Sequence, residues 1–194
     1  MLFRSAAADR GDITAEQAPL VVRSLLSAGV DTTVTGLAAV LHAVARYPEQ
    51  WARLRAEPAT IPAAVEECLR WTTPVISFMR TATCDVEVRG ETIRAGEPVL
   101  LVYAAANRDE RHFENPDALD LDRPNSRSQI GFGAGVHFCL GAPLARRELA
   151  IGFRAFVDHI DNFELIDPNM SFEYQKNFAL RALTSLPIRF TKKK

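Results

Sequence analysis

From Ala18 to Tyr47 apolar side chains recur on almost every face of a helical wheel, and Asp31 is the only acid in the run. A stretch this long and this evenly apolar reads as a helix that must be buried on most sides, because it offers no polar face to water. At 1.5 Å per residue it spans roughly 40 Å, enough to cross a domain. Thr14, with Gln17 three residues on, forms a capping box that opens a helix, and Pro48 stops it. The length also approaches that of a membrane span. Asp31 in the middle, with Ser27, Thr32, Thr33 and Thr35 around it, is an expensive load for hydrocarbon, and no aromatic or basic belt frames both ends. The run therefore predicts the central helix of a soluble domain, with no membrane partner.

A second stretch, Ile130 to Gly141, joins glycines to a cysteine placed just before another amphipathic run, Ala142 to Asp161. Gly131, Gly133 and Gly135 permit backbone turns and close approaches that a Cβ would block. Cys139 precedes the positive end of the helix read over 142–161, which favours a thiolate able to ligate a metal. One cysteine without a second nearby is poor zinc chemistry, since structural zinc takes paired Cys or His ligands. A single thiolate suits haem iron better. The plainer alternative is a glycine-rich turn before a helix, with Cys139 a buried structural residue.

The pattern F-G-x-G-x-H-x-C-x-G, carried by Phe132, Gly133, Gly135, His137, Cys139 and Gly141, resembles the haem-binding loop of the cytochrome P450 monooxygenases. The resemblance implies haem b held by Cys139 as the axial iron ligand, with Phe132 and Gly133 in the cofactor loop and His137 on a propionate. It covers only the C-terminal half of the family's length, so 1–194 reads as one partial domain. The expected fold is mainly α with small β-sheets, comprising a distal helix over 18–47, an E-x-x-R helix over 61–71, the ligand loop over 130–141 and a proximal helix over 142–161.

Ala28, Gly29, Val30, Asp31, Thr32 and Thr33 resemble the family's distal motif. By that resemblance Ala28 and Gly29 give the helix clearance over the haem, Asp31 brings protons from solvent, and Thr32 holds the hydrogen-bonded network at the oxygen site. The run from Arg23 to Thr33 further resembles bacterial members that oxidise para-substituted benzoates, which carries Ser24 and Arg23 over as binders of a substrate carboxylate. Ser24, Ala28 and Thr32 are four apart and share one helical stripe. Read locally, these hydroxyls only bond their own helix and Arg23 is a surface charge. Glu67 and Arg70 lie on one face of their helix; by resemblance they lock onto Arg123 as a scaffold, whereas E-x-x-R alone is an ordinary surface pair. After Pro74 the chain turns extended, and the resemblance sets Val75 and Phe78 in the substrate pocket and Arg80 on a propionate.

Between these motifs the sequence predicts a short helix over 48–57, a hairpin of Val86–Val88 and Thr92–Ile93 around Arg89–Glu91, and a buried apolar strand from Pro98 to Tyr103. Asn107 to Asn125 reads as ordered coil, and the strands end with Phe163–Leu165 and Pro187–Phe190, before a solvated Lys192–Lys194 tail. A net charge of −1 offers no basic surplus for nucleic acid. The odd, scattered Cys68, Cys84 and Cys139 argue against a disulfide framework and for a reducing compartment, the cytoplasm; the polar, alanine-rich Met1 to Arg10 does not read as a signal peptide. The function implied by resemblance is O2-dependent oxidation of a small organic substrate with a ferredoxin and its reductase as electron donors. The alternatives are a peroxide-driven relative, disfavoured by the Asp31–Thr32 pair, and a truncated, non-catalytic fragment.

Overall fold

The computed structural model describes residues 2–193; Met1 and Lys194, the ends of the expected 1–194 domain, lie outside the described residues. Among the described residues, six α-helices run α1 Leu2–Asp9, α2 Gln17–Arg46, α3 Pro48–Ala56, α4 Ile61–Thr72, α5 Tyr103–Ala106 and α6 Ala142–His159. The strands β1 Ser77–Thr81, β2 Val86–Val88, β3 Glu91–Ile93, β4 Pro98–Val102, β5 Ile160–Leu165 and β6 Ile188–Lys192 form three antiparallel pairs, β1 with β4, β2 with β3 and β5 with β6.

The capping box forms: the Gln17 amide donates to Thr14 Oγ1 at 3.2 Å while the Thr14 amide donates to Gln17 Oε1 at 2.9 Å. At the other end α2 stops at Arg46, and Pro48 opens α3, where its missing N–H costs nothing. The C-terminal half of α2 carries the core, with Val40, Ala43 and Val44 meeting Leu54 of α3, Val65 and Leu69 of α4, and Leu149, Phe153 and Val157 of α6. Gly36 sets the spacing of α2 and α6: a Cβ there would stand 3.3 Å from Leu149 Cδ2.

The N-terminal half of α2 departs from expectation. Instead of being buried on most sides, it leaves Leu20, Leu25, Leu26, Val30 and Val34 half or more exposed, because the described elements that pack on that half leave this face uncovered. By length and composition α2 could cross a membrane; its C-terminal half is instead enclosed by protein. The apolar strand β4 is likewise a correction, since Leu100 and Val102 stand about half exposed in a two-stranded sheet with nothing on that face. The β2–β3 turn is also tighter than expected: Arg89 and Gly90 alone make it, both at positive φ, and Glu91 already pairs with Val88. α6 gives way to β5 at Ile160, and Lys192, expected in a loose tail, pairs with Ile160.

Candidate cofactor cavity

Where α2 passes above the loop that precedes α6, the fold forms a half-open cavity of about 650 Å³. Ala28, Thr32, Thr33 and Gly36 of α2 form one wall; Gly131, Phe132, Gly133, His137 and Cys139 of the loop form another, with Ala145 and Leu149 of α6. Val75, Phe78 and Arg80 line a third side, and Asn177 to Leu180 complete it. The segment reaches the cavity because Val75 bridges Leu180 and the Ile76 amide donates to the Ala179 carbonyl at 2.8 Å.

The cysteine loop is folded on itself. Cys139 N–H donates to the Phe132 carbonyl at 2.9 Å and Gly133 N–H to that of Ile130 at 2.8 Å. Gly133 and Gly135 take φ of +75° and +67°, conformations that a side chain would strain. Gly131 donates to Gln129 Oε1 at 2.6 Å, and a Cβ at Gly131 would lie 2.8 Å from that oxygen. Cys139 is exposed to the cavity, whereas Cys68 is sealed inside α4, where burial pushes its thiol up. Cys139 is thus the sulfur presented to a ligand.

Two adjacent carboxylates of α4 hold the loop from below. Glu67 accepts from Arg70 Nε and Nη2 at 2.8 Å, from Arg123 Nε at 3.1 Å and from the Asp120 amide at 3.0 Å. Glu67 and Arg70 are fully buried and Arg123 nearly so. The remaining guanidinium donors meet carbonyls of Asn107, Pro116 and Ala118 for Arg70, and of Glu114, Asn115 and Ala118 for Arg123. The E-x-x-R pair is therefore an interior junction tying the coil over 107–123 to α4. Glu66, turned about 100° from its neighbour by the helical period, pairs with Arg146 of α6 and accepts from Gln129 Nε2. The Arg146 guanidinium in turn lies 4.6 Å over the Phe132 ring. Asn107 completes the support, its Oδ1 accepting from Ile130 N–H at 2.9 Å.

Of the residues singled out in the sequence, Ala28, Thr32, Val75, Phe78, Arg80, Phe132, Gly133, His137 and Cys139 line this one cavity. Gly29, Asp31, Ser24 and Arg23 do not. A Cβ on Gly29 would meet open space, so Gly36 is the α2 glycine that a protein contact constrains. Asp31 is exposed and outside the lining, a 100° turn from Thr32. Ser24 shares the stripe of Ala28 and Thr32 but lies beyond the cavity rim, its hydroxyl donating to the Leu20 carbonyl at 2.9 Å. Thr32 bonds its helix too, donating to the Ala28 carbonyl at 2.6 Å, and α2 stays helical throughout. The sequence reading missed Tyr103, Gln129, Glu66, Arg146 and Phe178. These residues act through contacts distant in sequence, which local pattern does not show.

Among the described residues no three His, Cys, Asp or Glu side chains converge as a metal cluster. The cavity instead offers one thiol, mostly apolar walls, and two basic side chains, Arg80 and His137. Arg80 Nη1 donates to its neighbour's carbonyl, Met79, leaving other guanidinium donors for a ligand. That donor set fits a flat apolar macrocycle that brings its own ring nitrogens and carries carboxylates, and the cavity marks the class: a helical protein presenting one cysteine to a large prosthetic group.

The chain belongs to the cytochrome P450 family, whose model, described as Cytochrome P450, matches residues 1–184; the family uses haem iron. It is 46% identical over 183 residues to cytochrome p450 CYP199A2 of Rhodopseudomonas palustris, covering 94% of this chain and 43% of that one. Cytochrome P450-terp of Pseudomonas sp is 43% identical, over 87% of this chain and 39% of its own. Among solved structures, cytochrome P450 CREJ superposes with a TM-score of 0.91 at 34% identity, over 96% of this chain and 47% of that chain. The chain thus spans less than half the length of these relatives.

Proposed function

We propose that this chain carries the cofactor-holding and oxygen-handling part of a haem-thiolate monooxygenase that inserts one atom of O2 into a small organic substrate. The observation that carries the reading is the pairing, across one cavity, of Cys139 on the loop with Ala28 and Thr32 on α2. Haem b, when bound, supplies an iron at which O2 is held and reduced. Cys139 gives it a thiolate ligand, Phe132 and Gly133 let the ring approach the loop, and Arg80 and His137 hydrogen-bond its carboxylates. Ala28 leaves room above the ring. Thr32 Oγ1, already bonded to the Ala28 carbonyl, passes a proton to the oxygen site through its hydroxyl. Asp31, exposed one residue away, collects that proton from water.

Val75 and Phe78 flank the cavity and shield the substrate from water. We assign a para-substituted aromatic acid as substrate, hydroxylated or O-demethylated, with a ferredoxin and its reductase as electron donors in the cytoplasm. Ser24 and Arg23, beyond the cavity rim, are given no part in holding its carboxylate.

The deciding experiment is the reduced, carbon-monoxide-bound spectrum of the chain supplied with haem, beside Cys139→Ser. A Soret band at about 450 nm that disappears in the variant is expected for thiolate ligation; the same band in both proteins refutes Cys139 as the ligand. A benzoate series then tests the substrate, and absence of any spectral shift with haem bound overturns that assignment.

A second reading rests on the exposed apolar half of α2, where Leu20, Leu25, Leu26, Val30 and Val34 stand uncovered. In it the chain holds haem only together with further P450 polypeptide covering Leu20 to Val34. No thiolate band from the chain alone, and its recovery when the remaining length of a relative is co-expressed, would favour this reading.

A further inference from the structure

A second cavity, of about 300 Å³, lies between the C-terminal end of α2, the end of α4 and the segment from Tyr174 to Leu183. It shares no lining residue with the haem cavity. His42, Arg46, Trp71, Arg108, Tyr174 and Arg181 face it. His42 is only 6% exposed, and its Nε2 reaches neither water nor any hydrogen-bond partner. Its ring is held between aromatic neighbours, 4.3 Å from Phe172 and 6.1 Å from Trp71 between centroids. A buried polar atom left this way costs free energy.

The charges around it are unbalanced in the same sense. Arg108 is committed, paired with Asp117 and donating to the Trp71 carbonyl. Arg46 lies 5.9 Å over the Phe172 ring and Arg181 4.8 Å over that of Tyr174. Among the described residues, neither of these two guanidiniums makes an ion pair or a side-chain hydrogen bond. The cavity therefore gathers two uncompensated cations against aromatic walls, with the His42 ring packed beside them. Burial, reinforced by Arg46 and Arg181, pulls His42 down to about 4, so the ring is neutral near pH 7 and adds no third positive charge.

We propose that this cavity binds a small dianionic oxyanion, with Arg46 and Arg181 clamping its oxygens beside the neutral His42 ring. Guanidinium forks match carboxylate and phosphate edges, and two unpaired arginines balance two negative charges. The volume holds a phosphate or dicarboxylate head with a small organic body, which the faces of Trp71 and Tyr174 would flank. The site is separate from oxygen chemistry and does not require haem.

The test uses the full chain with its histidines labelled with nitrogen-15, in chloride buffer of constant ionic strength. Titration with inorganic phosphate, and separately with malonate, is followed by calorimetry and by the His42 Nε2 resonance. Saturable one-to-one binding that moves that resonance is expected, and the tighter of the two probes identifies the ligand as phosphate or dicarboxylate. The double substitution Arg46→Gln with Arg181→Gln, at two exposed positions whose fold circular dichroism checks, should weaken binding by at least about tenfold. No saturable change up to about 50 mM of either probe, or equal affinity in the double variant, overturns the proposal. The His42 signal of the unsubstituted chain decides the matter even if a variant misfolds.

Discussion

Glu67 provides the sharpest quantitative test of how this fold holds its cysteine loop. Replacing it with glutamine keeps the size and one acceptor oxygen but removes the carboxylate bonded to two buried guanidiniums, Arg70 at 2.8 Å and Arg123 at 3.1 Å. Their other donors stay bonded to main-chain carbonyls, so the loss is the counter-charge and the Nε and Arg70 Nη2 contacts. Breaking a buried pair from one side typically costs about 3–5 kcal/mol. The acceptor retained by Gln sets the expectation at about 3 kcal/mol, a large share of a total stability of roughly 5–15 kcal/mol. With a urea slope of about 2 kcal/mol per molar, the unfolding midpoint measured by far-ultraviolet circular dichroism should fall by about 1.5 M. Arg53→Gln, which breaks the surface pair with Asp122, is the control and should leave the midpoint within error. A Glu67→Gln midpoint as close to that of the unsubstituted chain as the control's would refute the reasoning.

Other expectations follow from single contacts. Gly36→Val should destabilise by about 2 kcal/mol, because Leu149 would have to yield to a branched side chain in the α2–α6 seam; an unchanged melting profile would show the seam to be looser than described. For His42, held at about 4 against an ordinary 6.5, burial favours the neutral ring, so the unfolded chain takes up its proton first as pH falls. Stability from this residue is complete above 6.5 and erodes down to about 4, and His42→Phe should remove that part of the pH dependence in denaturant titrations at pH 7 and pH 5. Arg80→Leu should speed haem loss to apomyoglobin by about tenfold, corresponding to ~1.4 kcal/mol, without moving the 3.1 Å contacts that Arg123 makes elsewhere; an unchanged rate would remove Arg80 from the cofactor.

The elements that local chemistry controls were legible in the chain. Thr14 and Gln17 specify a helix start whose bonds need only each other, Pro48 ends α2 by lacking an N–H, and Gly133 and Gly135 announce positive φ in a tight loop before a helix. The motif around Cys139 went further, pointing to the family and to many of the side chains that meet around the cavity. Apolarity along α2 says that its surface favours cover, but periodicity cannot name the cover, and the half from Leu20 to Val34 remains exposed. Nor could residue type tell that Glu66 and Glu67, neighbours in sequence, would serve different partners, Arg146 on α6 and Arg123 in the coil. His42, one more residue of an apolar helix, loses water and hydrogen-bond partners at Nε2 only when distant elements are packed around it. Local bonds are written in neighbouring residues; burial and long-range ion pairing depend on which distant surfaces the fold brings together, so only the tertiary structure decides them.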